Sequence, residues 1–460
     1  MELKHKNILI LGLGISGIST AKALNKLNAN IIISDKKKED ELKQYIDELR
    51  DIKVKYILGT NDVDLDNIDL IIKSPGIPLN LPTINKAVEK GIEVITDIEL
   101  AYRISSNQFI AITGTNGKTT TTTLIGEVFK NANEVCHVTG NVGVGILWEL
   151  VNSEENDIFV VEVSSFQLES TKYFKPKASV IINITPDHLK WHGSFENYIN
   201  AKKKIFANQD KDDYTILNYD DKLLREISNE VCSNIIFFSQ WHELEKGVYV
   251  KDNKIVVNDG KKTMPVISCD EIKIPGKHNL ENALAAVSVG WVMGIELEVI
   301  ADTLRKFEGV EHRLEFVDEI NGVSFYNDSK ATNPDAAIKA IEAIESPIIL
   351  IAGGLDKGNE FDEFINSFNN KVKELIVLGE TAIKIKDAAI KLGFRNIHIV
   401  ENMEKAVEKS YELAKSGDNV LLSPACASWD MYKNFEERGN DFKRAVNNLR
   451  GLNNDKKESL

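Results

Sequence analysis

The sequence has few cysteines, no long apolar run and no excess of positive charge. Its four cysteines lie far apart without metal-ligand spacing, which favours a reducing cytosol, although scattered buried cysteines would give the same pattern. The only early apolar run, residues 8–13, is too short and too glycine-interrupted for a signal peptide or a membrane span. The net charge of −14 argues against nonspecific binding to nucleic acid. We therefore expect a cytoplasmic protein without a nucleic-acid or membrane partner, in which local Lys and Arg clusters bind anionic substrates.

The length of the chain predicts several domains. At 460 residues it is too long for one ordinary hydrophobic core, so about two to four domains are expected. Strand and helix patterns alternate in three blocks, which indicates an α/β fold. We predict domains at residues 1–97, 98–309 and 310–460. The first and third are expected to be Rossmann-like, and the central one to be a parallel sheet of the P-loop ATPase type with a small β-rich part.

The rest of the chain is organised around residues 109–121. An apolar run suited to a buried strand ends at Thr113, glycines follow at 114 and 117, and Lys118 and Thr119 open a stretch with helical spacing. Such a turn brings backbone N–H groups, a helix N-terminus and a lysine to phosphate oxygens, and a hydroxyl to Mg²⁺. Ile112 stands where the standard Walker pattern has its first glycine, so this is a shortened form of that pattern. We interpret it as a phosphate-binding loop for ATP rather than a bland turn with an exposed lysine. The residues expected to contact ATP here are Gly114, Thr115, Asn116, Gly117, Lys118, Thr119 and Thr120.

The first block contains a dinucleotide-type loop. A strand enters Gly-x-Gly-x-x-Gly at residues 12–17, and Asp35 ends the next strand about 20 residues later. Taken alone, this pattern suggests an NAD-dependent enzyme. The unit is short, however, and a later strand ends in Ser74-Pro75-Gly76, which suits a second anion-binding loop. For any single glycine a structural turn is as good an explanation as a binding role.

Polar residues follow two buried strands of the central block and occupy a third turn. Glu162 ends the run 158–162 and suits a Mg²⁺ ligand or a general base, while a lone glutamate at a strand end is otherwise simply solvated. His188 follows the run 178–184, and Asn141 lies in a Gly-Asn-Val-Gly turn. Strand ends that converge in this way mark the ligand edge of a parallel sheet.

Two helices of the central block add candidates. The first begins after Ser194 and carries three consecutive lysines, 202–204, which usually indicate a solvated face. The second places Asn279 and Asn282 one turn apart on one face. Paired amides suit hydrogen bonds to a nucleobase, whereas capping and packing are the alternative.

These motifs together resemble the Mur ligases, which use ATP to form amide bonds. The phosphate loop alone also resembles that of folylpolyglutamate synthase, but that enzyme lacks the first block with its Ser-Pro-Gly. The resemblance covers nearly the whole chain in order. Three runs of the third block, 328–333, 353–358 and 423–439, match the D-glutamate-adding branch of the family. The resemblance implies a ligase of peptidoglycan precursor synthesis that joins D-glutamate to UDP-N-acetylmuramoyl-L-alanine through an acyl phosphate.

The resemblance also implies a role for each candidate residue. The catalytic residues would be Lys118, Asn141, Glu162, His188 and Lys202. Two Mg²⁺ ions would be held by Thr119, Glu162, His188 and carbamylated Lys202. Further ATP contacts would come from Asn279, Asn282, Arg313, Asp328 and Lys330. The uridine nucleotide would meet Gly14, Ile15, Ser16, Asp35, Ser74 and Gly76, and D-glutamate would meet Thr332, Lys357, Ser428 and Phe435.

The carbamate places a chemical demand on Lys202. A lysine must be neutral to react with CO₂, so its pKa has to be lowered by desolvation or by positive neighbours. The chain departs from the family at position 190, where Lys190 replaces a commonly acidic residue.

For the oligomeric state of the protein, we expect a monomer.

Two other classes of protein fit parts of the pattern. A nicotinamide dehydrogenase would use the first glycine-rich loop and leave the Lys118 loop idle. A nucleotide-binding regulator would bind ATP without releasing phosphate. The ordered set of long motifs favours the ligase.

Overall fold

The structure is a computed structural model that describes residues 1–60, 62–141, 145–274, 276–344 and 347–458. It contains three sheets, all mainly parallel, with helices between their strands, which confirms the predicted α/β class. Contacts divide the chain into two units. The first unit comprises Met1–Glu271 and Leu280–Arg305, and the second comprises Ile272–Asn279 and Lys306–Leu460. No helix in the described ranges is both long and apolar enough to cross a bilayer.

The first sheet has five parallel strands in the order β3-β2-β1-β4-β5. The strands are β1 Asn7–Leu11, β2 Asn30–Asp35, β3 Val54–Leu58, β4 Leu70–Lys73 and β5 Glu93–Ile95. The helices are α1 Ile15–Lys26, α2 Glu39–Asp47 and α3 Pro82–Glu89. The chain reverses its direction across the sheet between β1 and β4. The two glycine-containing loops that follow these strands therefore lie side by side, which is the usual ligand position of such a sheet.

The second sheet has nine strands in the order β14-β13-β12-β11-β10-β9-β6-β8-β7. Its strands are β6 Gln108–Thr113, β7 Cys136–Gly140, β8 Ile158–Glu162, β9 Ala178–Ile181, β10 Tyr214–Asn218, β11 Asn234–Ser239, β12 Gly247–Lys251, β13 Lys254–Asn258 and β14 Thr263–Ser268. Strands β6 to β12 are parallel, and β12–β14 form an antiparallel edge. Asp252 and Asn253 join β12 to β13 with φ of 48° and 58°, which suits a tight hairpin turn.

The helices around the second sheet are α4 Asp97–Ile104, α5 Lys118–Asn131, α6 Ile146–Leu150, α7 Ser165–Leu168, α8 Leu189–His192, α9 Phe195–Lys203, α10 Lys222–Ile227, α11 Lys277–Val292 and α12 Leu297–Lys306. One apolar cluster runs through the first two sheets and their helices. Strand β6 contributes Phe109 and Ala111 to it, and both are at most 1% exposed. The strand that leads into the phosphate loop is therefore anchored in the core.

The third sheet has six strands in the order β15-β16-β20-β17-β18-β19. The strands are β15 Glu315–Ile320, β16 Val323–Asn327, β17 Ile348–Ala352, β18 Val372–Val377, β19 Ile397–Ile399 and β20 Asn419–Leu422. The helices are α13 Pro334–Ala343, α14 Asp362–Asn366, α15 Ala382–Lys391, α16 Met403–Leu413 and α17 Phe435–Glu458. Successive residues of β17 enter two different apolar clusters, one on each face of the sheet. Burial on both faces explains the uninterrupted apolar run of this strand.

Candidate active site

The phosphate-binding loop lies between β6 and α5, as predicted. Gly117 has a φ of +83°, and a Cβ there would lie 2.3 Å from Oδ1 of Asn282, so this position requires glycine. Lys118 begins α5 and its Nζ donates to the carbonyl oxygens of Gly114 at 3.0 Å and Thr115 at 2.9 Å. Thr119 is buried in the first turn of the helix. The loop thus presents a helix N-terminus and a lysine together.

A neighbouring strand end fixes the shape of this loop. Asn183 follows β9, and its Oδ1 accepts hydrogen bonds from the backbone N–H groups of Thr115 at 3.1 Å and Asn116 at 2.9 Å. The hydroxyl of Thr115 lies 3.1 Å from that of Tyr198. Sequence reasoning gave Asn183 and Tyr198 no role, because their partners are remote in sequence. For Asn183 the available signal was the polar run that follows β9, whereas Tyr198 lies in α9.

Glu162 and Asn141 form a pair beside the loop. Glu162 is 2% exposed and pairs in register with Ile112 of the adjacent strand β6. Its Oε1 accepts a hydrogen bond from Nδ2 of Asn141 at 3.0 Å. Its other oxygen, Oε2, is buried and has no hydrogen-bond partner within the described parts of the chain. A buried carboxylate oxygen without a donor is costly, which makes it suitable as a ligand for a cation.

Lys202 lies under the phosphate loop, 1% exposed. Its Nζ donates to Gly114 O at 2.7 Å and to Thr113 Oγ1 at 3.2 Å, and it lies 4.8 Å from the centroid of the Tyr198 ring. Burial, and then the positive charge of Lys118, lower the pKa of Lys202 well below its usual value. Nearby carboxylates oppose this shift without cancelling it. The direction of this shift is the one that a reaction with CO₂ would require.

The next two lysines have different surroundings. Lys203 forms an ion pair with Glu230, and Lys204 donates from Nζ to Glu169 O at 2.6 Å. Neither makes a hydrogen bond to the phosphate loop in the described structure. The run of three lysines is therefore not one solvated face, because its first member points into the core.

His188 lies at the same edge of the second sheet. It follows β9, has a φ of +52°, and half of its side chain is exposed. Its Nε2 lies 3.3 Å from Oδ2 of Asp187, and its ring centroid lies 4.8 Å from that of Phe166. A positive φ at a residue other than glycine is uncommon and occurs often at functional sites. His192, which the sequence left without a role, is buried one turn later.

The donor set determines which metal the site can hold. In the described ranges, no three His, Cys, Asp or Glu side chains are grouped to bind a metal ion. The predicted ligands include two such residues, Glu162 and His188, together with Thr119 and Lys202. An unmodified ammonium cannot coordinate a cation, whereas a carbamate and phosphate oxygens can. The residues present therefore fit Mg²⁺, which prefers oxygen ligands, provided that Lys202 is carbamylated and a nucleotide is bound.

The amide pair of α11 lies in the predicted position on the helix. Asn282 is 1% exposed, and its Oδ1 accepts a hydrogen bond from Thr121 Oγ1 of α5 at 3.1 Å. Asn279, one turn earlier, is also buried. The structure thus places Asn282 directly against the phosphate loop.

The predicted nucleotide loops of the first sheet lie in contact with each other. Ser74 Oγ donates to Gly12 O at 3.1 Å, and Ser16 Oγ donates to Oδ2 of Asp97 at 2.7 Å. Asp35 Oδ2 accepts from Leu13 N at 2.8 Å. Ser16, Asp35 and Ser74, which were predicted to contact the nucleotide, therefore also stabilise the conformation of the loops.

An open surface lies beside these loops. Apart from the adjacent residues in the chain, no atom of the described residues lies within 4 Å of a Cβ built on Gly14 or Gly76, and Ile15 is 70% exposed. Lys73, which sequence reasoning missed, is fully buried where β4 enters the second loop and donates to Ile77 O at 3.1 Å. Burial lowers the pKa of Lys73 to about 8.

In the second unit a buried arginine joins two predicted loops. Arg438 is 3% exposed. Its Nε donates to Ser329 Oγ at 3.0 Å and its Nη2 to Ser329 O at 2.7 Å, while its Nη1 donates to Cys426 O at 3.0 Å. Burial lowers its pKa to about 10. The sequence offered one signal for this role, an arginine inside the long third-block motif.

The residues predicted for the amino-acid substrate lie around these loops. Lys357 is exposed, Thr332 is half-buried and Ser428 is 2% exposed. A bridge between Leu355 and Ala427 joins the loops after β17 and β20. Phe435 begins α17, and its carbonyl accepts from Ser329 Oγ at 2.8 Å.

The remaining predicted ATP contacts lie at the end of β16. Asp328 Oδ2 accepts from Ser423 Oγ at 2.8 Å, and burial raises the pKa of Asp328 to about 7. Arg313 is half-buried, and its Nε has no hydrogen-bond partner among the described residues. Nζ of Lys330 lies 5.2 Å from the centroid of the Phe435 ring.

Comparison with known proteins gives matches along the chain. The profile for the N-terminal domain of MurD-like Mur ligases matches residues 6–96, that for the Mur ligase middle domain matches 112–290, and that for the Mur ligase glutamate ligase domain matches 312–426. Two proteins named UDP-N-acetylmuramoylalanine–D-glutamate ligase are similar to it. The one from Thermoanaerobacter sp. (strain X514) is 52% identical and the one from Clostridioides difficile (strain 630) is 50% identical; each alignment covers 98% of this chain and 100% of the relative.

Solved structures support the fold. UDP-N-acetylmuramate-alanine ligase MurC from Thermotoga maritima superimposes with a TM-score of 0.59 at 19% identity, covering 97% of this chain and 100% of the other. MurF ligase from Thermotoga maritima in complex with ADP gives 0.59 at 17% identity, covering 97% and 99%. At these identities the likeness concerns the architecture of the three sheets alone.

Proposed function

The chain belongs to the Mur ligase family, and we propose that it uses ATP to join D-glutamate to the alanyl carboxylate of UDP-N-acetylmuramoyl-L-alanine. Its relatives at about half identity over their full length carry the corresponding name. The observation that carries the proposal is Lys202, a buried lysine with a lowered pKa whose Nζ contacts the phosphate loop. Neither a nicotinamide dehydrogenase nor a nucleotide-binding regulator requires a buried lysine at this position.

The reaction has two steps that conserve atoms and charge. A carboxylate oxygen of the alanyl group attacks the γ-phosphorus of ATP, the bond to the bridging oxygen breaks, and ADP leaves. The neutral amine of D-glutamate then attacks the acyl carbon, phosphate leaves, and the nitrogen loses a proton. Lys118 would offset the charge that spreads over the transferring phosphoryl group.

The metal-binding residues are part of the proposal. Glu162, His188, Thr119 and carbamylated Lys202 would hold two Mg²⁺ ions. When bound, Mg²⁺ supplies positive charge to the phosphate oxygens. The unpartnered Oε2 of Glu162 supports this assignment. Asn141 would hold Glu162 in orientation through the hydrogen bond from its Nδ2.

The substrate contacts follow the three sheets. The uridine nucleotide would lie over Gly14, Ile15, Ser16, Asp35, Ser74 and Gly76. ATP would contact the loop Gly114–Thr120 together with Asn279, Asn282, Arg313, Asp328 and Lys330. The two carboxylates of D-glutamate would meet Lys357, the hydroxyls of Thr332 and Ser428, and the backbone near Phe435. We further propose domain boundaries at residues 1–97, 98–309 and 310–460, a monomeric state and a cytoplasmic location.

The test is phosphate release from ATP in the presence of UDP-N-acetylmuramoyl-L-alanine while the added amino acid is varied. Release should depend on both acceptor and D-glutamate, and an amide product should form in equal amount. ATP binding without release would indicate a regulator. A fluorescence titration with NADH provides the control for the dehydrogenase, and tight binding of NADH with no binding of ATP would contradict the proposal.

A further inference from the structure

An exposed tryptophan joins two loops of the proposed amino-acid site. Trp429 directly follows Ser428 and is 64% exposed. The Nζ of Lys357, in the loop after β17, lies 4.4 Å from the centroid of a Trp429 ring. Leu355 N donates to Ala427 O at 2.9 Å, which holds the two loops together close to this contact. The backbone segments that carry Lys357 and Trp429 are therefore held together by this hydrogen bond.

The backbone on both sides of Trp429 is fixed while its side chain is not buried. Ser428 is 2% exposed, and Oδ2 of Asp430 accepts a hydrogen bond from Glu380 N at 3.0 Å. A large aromatic side chain held outward in this way gains little from apolar burial. What it does provide is a negative ring face within reach of a cation, an arrangement that is attractive within about 6 Å.

The ammonium of Lys357 has a fixed position only if a contact such as this one holds it. It is exposed at the tip of a loop, and its flexible stem gives its ammonium many positions. A cation that is already held in place loses less conformational freedom when a ligand binds. The ring occupies one side of the ammonium only, so other N–H donors stay available for a carboxylate.

We propose that Trp429 is a positioning residue that holds the ammonium of Lys357 ready for a carboxylate of the amino-acid substrate. The inference rests on the proposed function and extends it. It yields selectivity where Lys357 pairs with the side-chain carboxylate, because an amino acid with a neutral side chain offers no anion at that position. Trp429 would therefore contribute to the choice of an acidic amino acid.

The experiment is steady-state kinetics of Trp429→Leu and Trp429→Phe at saturating ATP and uridine nucleotide. A cation–π contact at an exposed site corresponds to about a two- to fivefold change in an equilibrium constant. We expect Trp429→Leu to raise the KM for D-glutamate by about that factor with kcat unchanged. Trp429→Phe keeps an aromatic face and should restore most of the affinity. Trp241→Leu, at an equally exposed tryptophan of the first unit, serves as the matched control and should leave all constants unchanged.

A double-mutant cycle separates positioning from mere packing. In a Lys357→Met background, Trp429→Leu should cause no further loss of kcat/KM for D-glutamate, because the cation that it orients is gone. An equal loss in both backgrounds, a change in kcat alone, or a parallel rise in the KM for ATP would overturn the inference. A wild-type enzyme that does not use D-glutamate at all would instead refute the proposed function, and this is measured before any variant is made.

Discussion

Replacing Lys202 should separate activity from stability. Its Nζ is removed from water, and burial together with the charge of Lys118 lowers its pKa well below the usual value. Each unit by which the folded state lowers the pKa of a lysine costs about 1.4 kcal/mol of stability at a pH below both the folded and the unfolded pKa. Lys202→Met removes that cost and keeps the apolar stem, so the variant should unfold at equal or higher denaturant concentration. The loss of the two hydrogen bonds from Nζ to Gly114 O and Thr113 Oγ1, each worth about 0.5–1.5 kcal/mol, offsets part of this gain.

The same position should be essential for turnover. If Lys202 carries a carbamate, its loss removes an anion that would bind the metal next to the phosphoryl group. Loss of one preorganised electrostatic group typically costs about 10²–10³ in rate. We expect Lys202→Ala to lose at least that much in phosphate release, and acetate or another small carboxylic acid at high concentration to restore part of it by occupying the space left by the side chain.

Lys203→Ala is the matched control for this experiment. Lys203 forms a surface ion pair with Glu230, and such pairs contribute about 0–1 kcal/mol. Activity should therefore change little. Urea denaturation, phosphate release with and without acetate, and the intact mass of the protein after CO₂ exposure are measured for each variant. Near-normal turnover of folded Lys202→Ala, or absence of acetate rescue together with an unmodified Lys202 mass, would refute the reasoning.

Three further predictions concern single charged groups. Lys118→Ala should reduce phosphate release by several orders of magnitude without changing the circular dichroism spectrum, and near-normal turnover would rule out the assigned ATP site. Lys357→Ala should weaken the use of D-glutamate while the KM for ATP and for the uridine nucleotide stays unchanged, and L-glutamate should be a poor substrate of the wild type; equal use of both enantiomers would contradict the assigned pocket. Burial raises the pKa of Asp328 to about 7, from 3.8, so the folded state binds its proton more tightly than the unfolded state. The stability of the wild type relative to Asp328→Asn should therefore rise as the pH falls from about 7 to about 4, and a pH-independent difference in urea denaturation would contradict this.

Local patterns in the sequence predicted the loops well. The turn from Thr113 to Lys118 needs a glycine with a positive φ, a lysine and a helix start in fixed order, and all three are neighbours in the chain. The hairpin at Asp252 and Asn253 is local in the same way. Strand β17 of the third block is recognisable from its continuous apolar run, because it is buried on both faces, whereas β16 and β19 are partly exposed and mix apolar with polar residues.

Features that depend on distant partners were not predicted. Strand β15 pairs antiparallel with β16 at one edge of the third sheet, and its sequence is too polar and half-exposed to give an apolar run. The Asn321-Gly322 turn between them was a usable signal. Arg438 and Asn183 lie in polar runs that the sequence displays, but their hydrogen-bond partners Ser329 and Thr115 are remote in sequence, so the folded chain is needed to assign their roles. Lys73 could not be recognised as buried, because lysine is usually exposed.

In this acidic protein, the phosphate loop carries a lysine where the proposed ligand is anionic. Lys118 already donates to the carbonyl oxygens of Gly114 and Thr115 in the phosphate loop, so phosphate binding would exchange one acceptor for a better one. The net gain from each contact is then smaller than for a lysine in water, but the groups need little rearrangement when the phosphoryl group moves. This favours stabilisation of the transition state over tight binding of ATP, because preorganised charges act most strongly where new charge develops. With a net charge of −14, the chain as a whole repels anionic substrates, and rates of association should rise with ionic strength if this repulsion dominates their approach.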